Sequence, residues 1–166
     1  QYKVYFHIIG DFFNPGEREE YMSIIKENHL DPYVILHGRQ AGQMLDLLFE
    51  LCDFGIGSLG RHRSGITNIK TLKNREYAAR GIPFIYSEID EDFENMPYIM
   101  KIPANEEAVD IKQILNFYNQ LHITPLEIRN SIRHLSWNNQ MKKVLDEMQK
   151  KDKINPNNNN IANFAT

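Results

Sequence analysis

The sequence predicts an α/β protein built on a Rossmann-like parallel sheet that is flanked by helices. Short runs of β-forming residues alternate with longer segments in which apolar residues recur at helical spacing. Glycine or proline lies near most of the junctions between these segments. Because strands that alternate with helices form βαβ units, this order predicts mostly parallel strands.

Five short segments are predicted as strands because they are rich in aliphatic and aromatic residues and end near turn-forming residues. Ligands bind beyond the carboxyl ends of the strands in such a sheet, so the loops that follow the strands are candidate sites. The five segments are Tyr2–Ile9, Tyr33–Leu36, Asp53–Leu59, Pro83–Ser87 and Tyr98–Ile102.

Five longer segments are predicted as helices because their apolar residues lie three and four positions apart. Pro15 and Pro125 suit the first turn of a helix, and Gly81 suits the end of one. The segments are Pro15–Asn28, Ala41–Leu51, Asn68–Arg80, Glu106–Leu121 and a last helix from Pro125 to Met148.

Length and composition indicate a globular domain over residues 1–150 of the 166-residue chain, of which 42% is hydrophobic. The Asn-rich, aperiodic segment 151–166 is predicted as a disordered tail. The chain begins in a strand pattern without an initiator methionine, so we expect it to be a piece of a longer protein.

Charge and motif content argue against several classes of function. A net charge of −3 disfavours general nucleic-acid binding, for which a basic domain is expected. No segment reaches the roughly 18 apolar residues of a membrane span, and none has the pattern of a signal peptide. The six histidines and the lone Cys52 show no metal-ligand spacing, so we expect no metal site.

The most informative stretch is Ser58–Ser87. Between Gly60 and Arg80 it holds six basic residues and a single acid, although the chain as a whole is slightly acidic. A basic loop that runs from a strand into a helix favours a phosphate-bearing ligand, because free N–H groups and the helix dipole attract anions there. The basic residues are Arg61, Arg63, Lys70, Lys73, Arg75 and Arg80.

Several side chains in and near this stretch have both a functional and a structural interpretation. Glu76 can accept hydrogen bonds from a ribose diol, or can form a surface pair with Lys73 one turn away. Asn68 can contact a ligand, or can cap the helix that follows it. Arg61 and its neighbours can neutralise a pyrophosphate, or can form a solvated loop. The acidic run Glu88–Glu94 is predicted to be a solvated loop.

The segment Leu72–Pro83 reads LKNREYAARGIP. It resembles the LK-x-x-EY-x-A-x-G-x-P signature of nucleotide-sugar glycosyltransferases with the GT-B fold, and in particular their retaining family four. Phe6–Gly10 and Cys52–Ser58 resemble two strands of that family, and His37–Arg39 resembles the turn before the second of them. Ser136–Trp137 resembles the start of the family's closing helix.

This resemblance covers about residues 4–148 and implies the C-terminal, donor-binding half of a two-domain enzyme of polysaccharide biosynthesis. Such an enzyme transfers a sugar from a UDP- or GDP-linked donor to an acceptor hydroxyl, with retained configuration and without a metal or another cofactor. The glycan or lipid-linked acceptor would bind to an N-terminal domain upstream of Gln1, so we expect the chain alone to be inactive. The implied location is the cytoplasm, including the inner face of the membrane for the full-length protein.

The site residues implied by the resemblance are those that match the family's motifs. Glu76 matches the acid that holds the nucleotide ribose, and Asn68 falls on the position that contacts the transferred sugar. Lys73 would stabilise the charge of the leaving group. The implied donor-binding residues are Gly10, Gly38, Arg39, Ser58, Leu59, Gly60, Arg61, Ile69, Lys70, Thr71 and Leu72.

Asn68 departs from the family, which usually has a carboxylate at this position. The amide keeps its hydrogen bonding but loses the charge, so a second hypothesis is a non-catalytic nucleotide-binding or interaction module on the same fold. A third hypothesis is a flavodoxin-like or receiver-like domain. A receiver needs a cluster of acidic residues at the strand ends, and Asp11 and Asp53 are too isolated to form one.

Overall fold

The computed structural model describes residues 2–154, with side chains described through residue 150. The chain divides into two compact units, Gln1–Cys52 and Asp53–Thr166, which we call unit 1 and unit 2 and describe separately. The assignment of residues 1–150 to a single domain stays a prediction. Residues 151–154 of the predicted tail continue the last helix, and residues 155–166 lie outside the described residues.

Unit 1 contains one parallel pair of strands and two helices. Its elements are β1 (Phe6–Ile8), α1 (Pro15–Glu27), β2 (Val34–Leu36) and α2 (Gly42–Glu50). Strands β1 and β2 pair directly, with Phe6 opposite Val34, so β1, α1 and β2 form a βαβ unit. Helix α1 starts after Asn14, whose side-chain oxygen accepts a hydrogen bond from Glu17 N–H at 2.9 Å.

The described residues of unit 2, 53–154, form a three-stranded parallel sheet and four helices. Its elements are β3 (Gly55–Ile56), α3 (Leu72–Arg80), β4 (Phe84–Tyr86), β5 (Ile99–Lys101), α4 (Ile111–Asn119), α5 (Pro125–Ser131) and α6 (Trp137–Ile154). Strand β4 lies in the centre of the sheet, with Phe84 opposite Gly55 of β3 and Ile99 of β5. Two 3₁₀ turns, at Arg61–Ser64 and Arg133–Leu135, complete the unit.

The core of unit 2 is built around β4. Phe84, Ile85 and Tyr86 have no exposed surface. The ring of Phe84 meets the ring of Phe93 edge-on, with 5.3 Å between the ring centroids, and Ala78 of α3 joins the same apolar cluster. Burial of apolar surface is the main force that stabilises a fold. The fully buried strand β4 is therefore a stable anchor for the chain segment that follows it.

The α/β class with parallel strands and flanking helices is confirmed, and the five predicted strands are present in shorter form. The helix predictions for Asn68–Arg80 and Glu106–Leu121 are wrong at their starts, because Thr71 and Asp110 cap these helices and cap residues keep an extended backbone. The predicted last helix is likewise divided into α5 and α6 by the 3₁₀ turn at Arg133–Leu135.

Helix α6 carries a row of exposed apolar side chains. They recur three or four residues apart, as on one side of a helix, and Trp137 is 82% exposed. The others are Met141, Val144, Leu145 and Met148. Among the described residues, no helix is both long and apolar enough to cross a membrane.

Replacement of Gly81 by alanine should destabilise unit 2. Gly81 ends α3 with a φ of +77°, and an added Cβ would lie 2.5 Å from the carbonyl oxygen of Pro125. The strained backbone and the clash should lower the free energy of unfolding by about 1–3 kcal/mol, measured by urea denaturation. Gly60→Ala is the control, because an added Cβ there meets no atom within 4 Å. Equal unfolding midpoints for the two variants would contradict this account of Gly81.

Candidate functional site

The candidate site of unit 2 lies on the loop between β3 and α3, residues 58–71, which we call the site loop. The segment that follows β4 holds this loop through backbone hydrogen bonds near the start and near the end of the loop. Ser87 N–H donates to Ser58 O at 3.1 Å, and Ile89 N–H donates to Thr67 O at 2.8 Å. The two ends of the site loop are therefore attached to the chain just beyond the central strand.

The 3₁₀ turn at Arg61–Ser64 forms the middle of the site loop. Its first N–H group, that of Arg61, donates to Oε1 of Glu88 at 2.6 Å. The side chain of Glu88 is buried, whereas that of Arg61 is exposed. Gly65 ends the turn with a φ of +68°, in the left-handed region that favours glycine. Glu88 thus holds the backbone of the turn at Arg61, while the charged side chain of Arg61 is exposed to solvent.

Glu106 contacts the side chains of the same turn. Its Oε1 lies 2.8 Å from His62 Nε2 and accepts a hydrogen bond from Arg63 Nε at 2.9 Å, while its Oε2 accepts a second bond from Arg63. These bonds from Arg63 and His62 lower the pKa of the Glu106 carboxyl from its ordinary value of 4.5 to about 2. The turn is therefore held by two carboxylates from distant parts of the sequence.

Helix α3 begins directly after the site loop. Thr71 Oγ1 accepts a hydrogen bond from Asn74 N–H at 3.4 Å and caps the helix. The first N–H groups of any helix have no partner within the helix, and they carry the positive end of its dipole. Leu72, the first residue of α3, is 83% exposed, so this end of the helix is open to solvent.

Acidic residues from elsewhere in unit 2 neutralise much of the basic stretch. Lys70 pairs with Glu91 at 3.6 Å. Arg75 pairs with Asp90 at 3.1 Å and also with Asp92. The prediction that the run Glu88–Glu94 is a solvated loop is therefore wrong in part, because its first carboxylate and Asp90 are buried. A buried carboxylate needs hydrogen bonds or a cation, and Arg75 supplies both to Asp90.

Arg61 and Lys73 differ from the other basic residues of this stretch. Within the described part of the chain, neither has an ion-pair partner. Lys73 is exposed as a residue, but partial desolvation of its ammonium group lowers the pKa, and the charge of Arg61 lowers it further. The two cations therefore act on each other, one from the site loop and one from the first turn of α3.

Asn68 does not cap a helix, so that interpretation is wrong. It lies in an extended segment that bridges to Ile89 in parallel, and its Nδ2 donates to Thr67 Oγ1 at 3.2 Å. The next N–H group, that of Ile69, donates to Ile89 O at 2.8 Å. That N–H group is already used within the fold, so of the implied donor-binding residues Ile69, Lys70, Thr71 and Leu72 only the last three remain for backbone contact with a ligand.

Glu76 lies on the exposed side of α3. It does not pair with Lys73 as the surface-pair interpretation expected, since its Oε1 accepts a hydrogen bond from Arg80 Nε at 2.6 Å. Its side chain is 47% exposed. A carboxylate has room for several hydrogen bonds, so the bond from Arg80 leaves Glu76 able to accept others.

Three predicted donor-binding residues belong to unit 1, where β1 and β2 end. Gly10 N–H donates to Gly38 O at 2.9 Å, which brings these two predicted turns together. Both glycines have positive φ values, of +134° and +63°, and Arg39 is exposed. Next to them, His7 Nδ1 and His37 Nε2 lie 2.9 Å apart, a contact that the sequence pattern did not indicate.

Comparison of the chain with protein-family models, with curated proteins and with solved structures found no match. The described residues also contain no group of three or more histidine, cysteine or acidic side chains that could hold a metal ion. The case for a site therefore comes from the sequence signature and from the geometry of the site loop.

Sequence reasoning missed the two carboxylates that hold the 3₁₀ turn. Glu88 lies 27 positions from Arg61, and Glu106 lies 43 positions from Arg63. No local pattern pairs residues at such separations. The only available signal was the position of Glu88 just beyond a predicted strand, where polar residues of a parallel sheet tend to meet.

The contact of Glu106 should make the stability of unit 2 depend on pH. Because its pKa is about 2 in the folded protein and 4.5 ordinarily, its contribution is fully present above about pH 4.5. It is lost as the pH falls from there through about 2. In urea unfolding, Glu106→Gln should therefore be less stable than the unmodified protein at neutral pH, and the difference should shrink over this range.

The exposed neighbour Glu107 provides the control for this experiment. Glu107→Gln should show no comparable difference that depends on pH. A difference for Glu106→Gln that stays constant from pH 7 to pH 2 would contradict the role assigned to its charge.

Proposed function

We propose that this chain is the donor-binding domain of a glycosyltransferase that uses a nucleotide diphosphate sugar. The observation that carries the proposal is the pair of cations, Arg61 and Lys73, without ion-pair partners among the described residues. Arg61 belongs to the loop before α3, and Lys73 belongs to the first turn of that helix. The solvent-exposed N-terminus of a helix attracts anions through its free N–H groups and its dipole. A diphosphate suits two cations and a row of helix N–H groups.

The proposed reaction transfers the sugar to an acceptor hydroxyl with retained configuration. The bond between the anomeric carbon and the phosphate oxygen breaks, the acceptor oxygen bonds to that carbon, and the acceptor proton leaves with the nucleoside diphosphate. The leaving group gains negative charge in this step. Arg61, Lys73 and the first N–H groups of α3 would stabilise that charge, and such preorganised electrostatic stabilisation is commonly the largest catalytic effect.

The resemblance supplies the remaining roles in the proposal. The carboxylate of Glu76 would accept hydrogen bonds from the ribose hydroxyls, while the hydrogen bond from Arg80 orients that carboxylate. Asn68 would contact the transferred sugar. A glycan or lipid-linked acceptor would bind to a preceding domain, at a cytoplasmic location or on the inner face of the membrane.

The exposed amide of Asn68 favours a second candidate function, a non-catalytic nucleotide-binding module. An uncharged side chain at the position of the expected carboxylate interacts more weakly with charge that develops on the sugar. Binding of the nucleotide without turnover would distinguish this module from the enzyme.

Removal of one of the two cations should weaken nucleotide binding. We expect Lys73→Ala to raise the Kd for UDP or GDP about tenfold, the loss expected for one charged hydrogen bond. Calorimetric titration with UDP, GDP and ADP measures the effect. Arg129→Ala is the control, because it removes one exposed positive charge from α5. If none of the three nucleotides binds to the unmodified protein, the donor site is not present.

Replacement of Glu76 should abolish sugar transfer in the full-length protein and leave the fold intact. The ribose would lose its acceptor, so turnover of the nucleotide sugar should fall below detection while the circular dichroism spectrum stays unchanged. Glu147→Ala is a matched control, because Glu147 is an exposed glutamate that pairs with a lysine three positions away. Full activity in Glu76→Ala would reject its role, and binding without turnover in the unmodified protein would favour the non-catalytic module.

A further inference from the structure

Glu88 combines deep burial with an incomplete set of hydrogen bonds. Its side chain follows the central strand and is 2% exposed. Oε1 accepts the hydrogen bond from Arg61 N–H at 2.6 Å, and among the described residues no partner is found for the buried Oε2. Burial of a carboxylate lowers the stability of the folded protein unless hydrogen bonds offset the loss of water. The unpartnered Oε2 of Glu88 is therefore expected to destabilise the fold.

The bond to Arg61 completes the attachment of the site loop. Ser87 and Ile89 hold the ends of the loop through backbone bonds to Ser58 and Thr67. Glu88 stands between these two residues in the sequence and reaches the middle of the loop through its side chain. The three consecutive residues after β4 thus determine where the site loop runs.

The residue that Glu88 holds is one of the two cations without an ion-pair partner in the described part of the chain. Among the described residues no carboxylate pairs with the guanidinium of Arg61, so its location depends on the backbone from which it extends. Without the Glu88 carboxylate, Arg61 N–H would lose its acceptor, and the turn would lose its contact with the segment beyond β4.

We propose that Glu88 is a positioning residue of the phosphate site, which acts by holding the Arg61 backbone and thereby the guanidinium that extends from it. The inference rests on the proposed function, because only that function makes this a phosphate site. The contact between Glu88 and Arg61 itself lies within the protein. It can therefore be tested both without a ligand and with one.

The test without a ligand follows the pKa of Lys73 by isotope-edited NMR of its side chain. Arg61→Ala should raise this pKa toward its ordinary value, because the charge of Arg61 lowers it. Glu88→Ala should raise it as well, since the guanidinium moves away. Glu88→Gln should not raise it, because the amide oxygen can still accept the bond from Arg61 N–H.

The direction of this change separates positioning from simple loss of charge. Removal of a nearby negative charge would by itself lower the pKa of Lys73. A lowered or unchanged pKa in Glu88→Ala would therefore overturn the proposal. Glu107→Ala serves as the control for removal of an exposed acid. If Glu88→Ala does not fold, Glu88→Asp allows the same comparison, because its shorter side chain withdraws the carboxylate from Arg61 N–H.

The test with a ligand is a double-mutant cycle on the affinity for inorganic pyrophosphate and UDP. Glu88→Ala should weaken binding about tenfold when Arg61 is present, and should have no effect in the Arg61→Ala background. Equal losses in both backgrounds would overturn the proposal while the proposed function stands. Failure of the unmodified protein to bind either ligand would overturn the proposed function, and the Lys73 titration would then decide the role of Glu88.

Discussion

The backbone hydrogen bonds that Ser87 and Ile89 make with Ser58 and Thr67 are the constraint on which the candidate site depends. These bonds tie the site loop to the chain just beyond β4, whose three residues have no exposed surface. A loop is usually the most mobile part of a fold. Here the anchoring residues continue directly from the most buried strand, so the cations of the loop start from a well-supported backbone.

The distribution of charge follows from the same arrangement. The acidic segment after β4 supplies partners for Lys70 and Arg75, and Glu106 supplies one for Arg63. The exposed pairs of Lys70 and Arg63 add little to stability, whereas Arg75 neutralises the buried carboxylate of Asp90. Together these pairs decide which positive charges of the stretch remain without a partner among the described residues. The proposal of an anion site therefore rests on a pair of side chains rather than on six.

Helix α3 links the core to the proposed chemistry. Its inner side packs Ala78 into the apolar cluster of unit 2, while its first turn carries Lys73 and its outer side carries Glu76. Gly81 ends the helix against the backbone of Pro125, at the start of α5. The direction of the helix is thus constrained by packing at its C-terminal end.

The sequence by itself determined the α/β class, the strand positions and the basic stretch, because these depend on local periodicity and on turn-forming residues. It also carried the signature on which the proposed function rests. Only the tertiary structure decided that α3 starts at Leu72, that Glu88 is buried, and which cations keep no ion-pair partner among the described residues. The physical reason is separation along the chain: contacts such as Arg61 with Glu88 join residues 27 positions apart, and no local pattern encodes them.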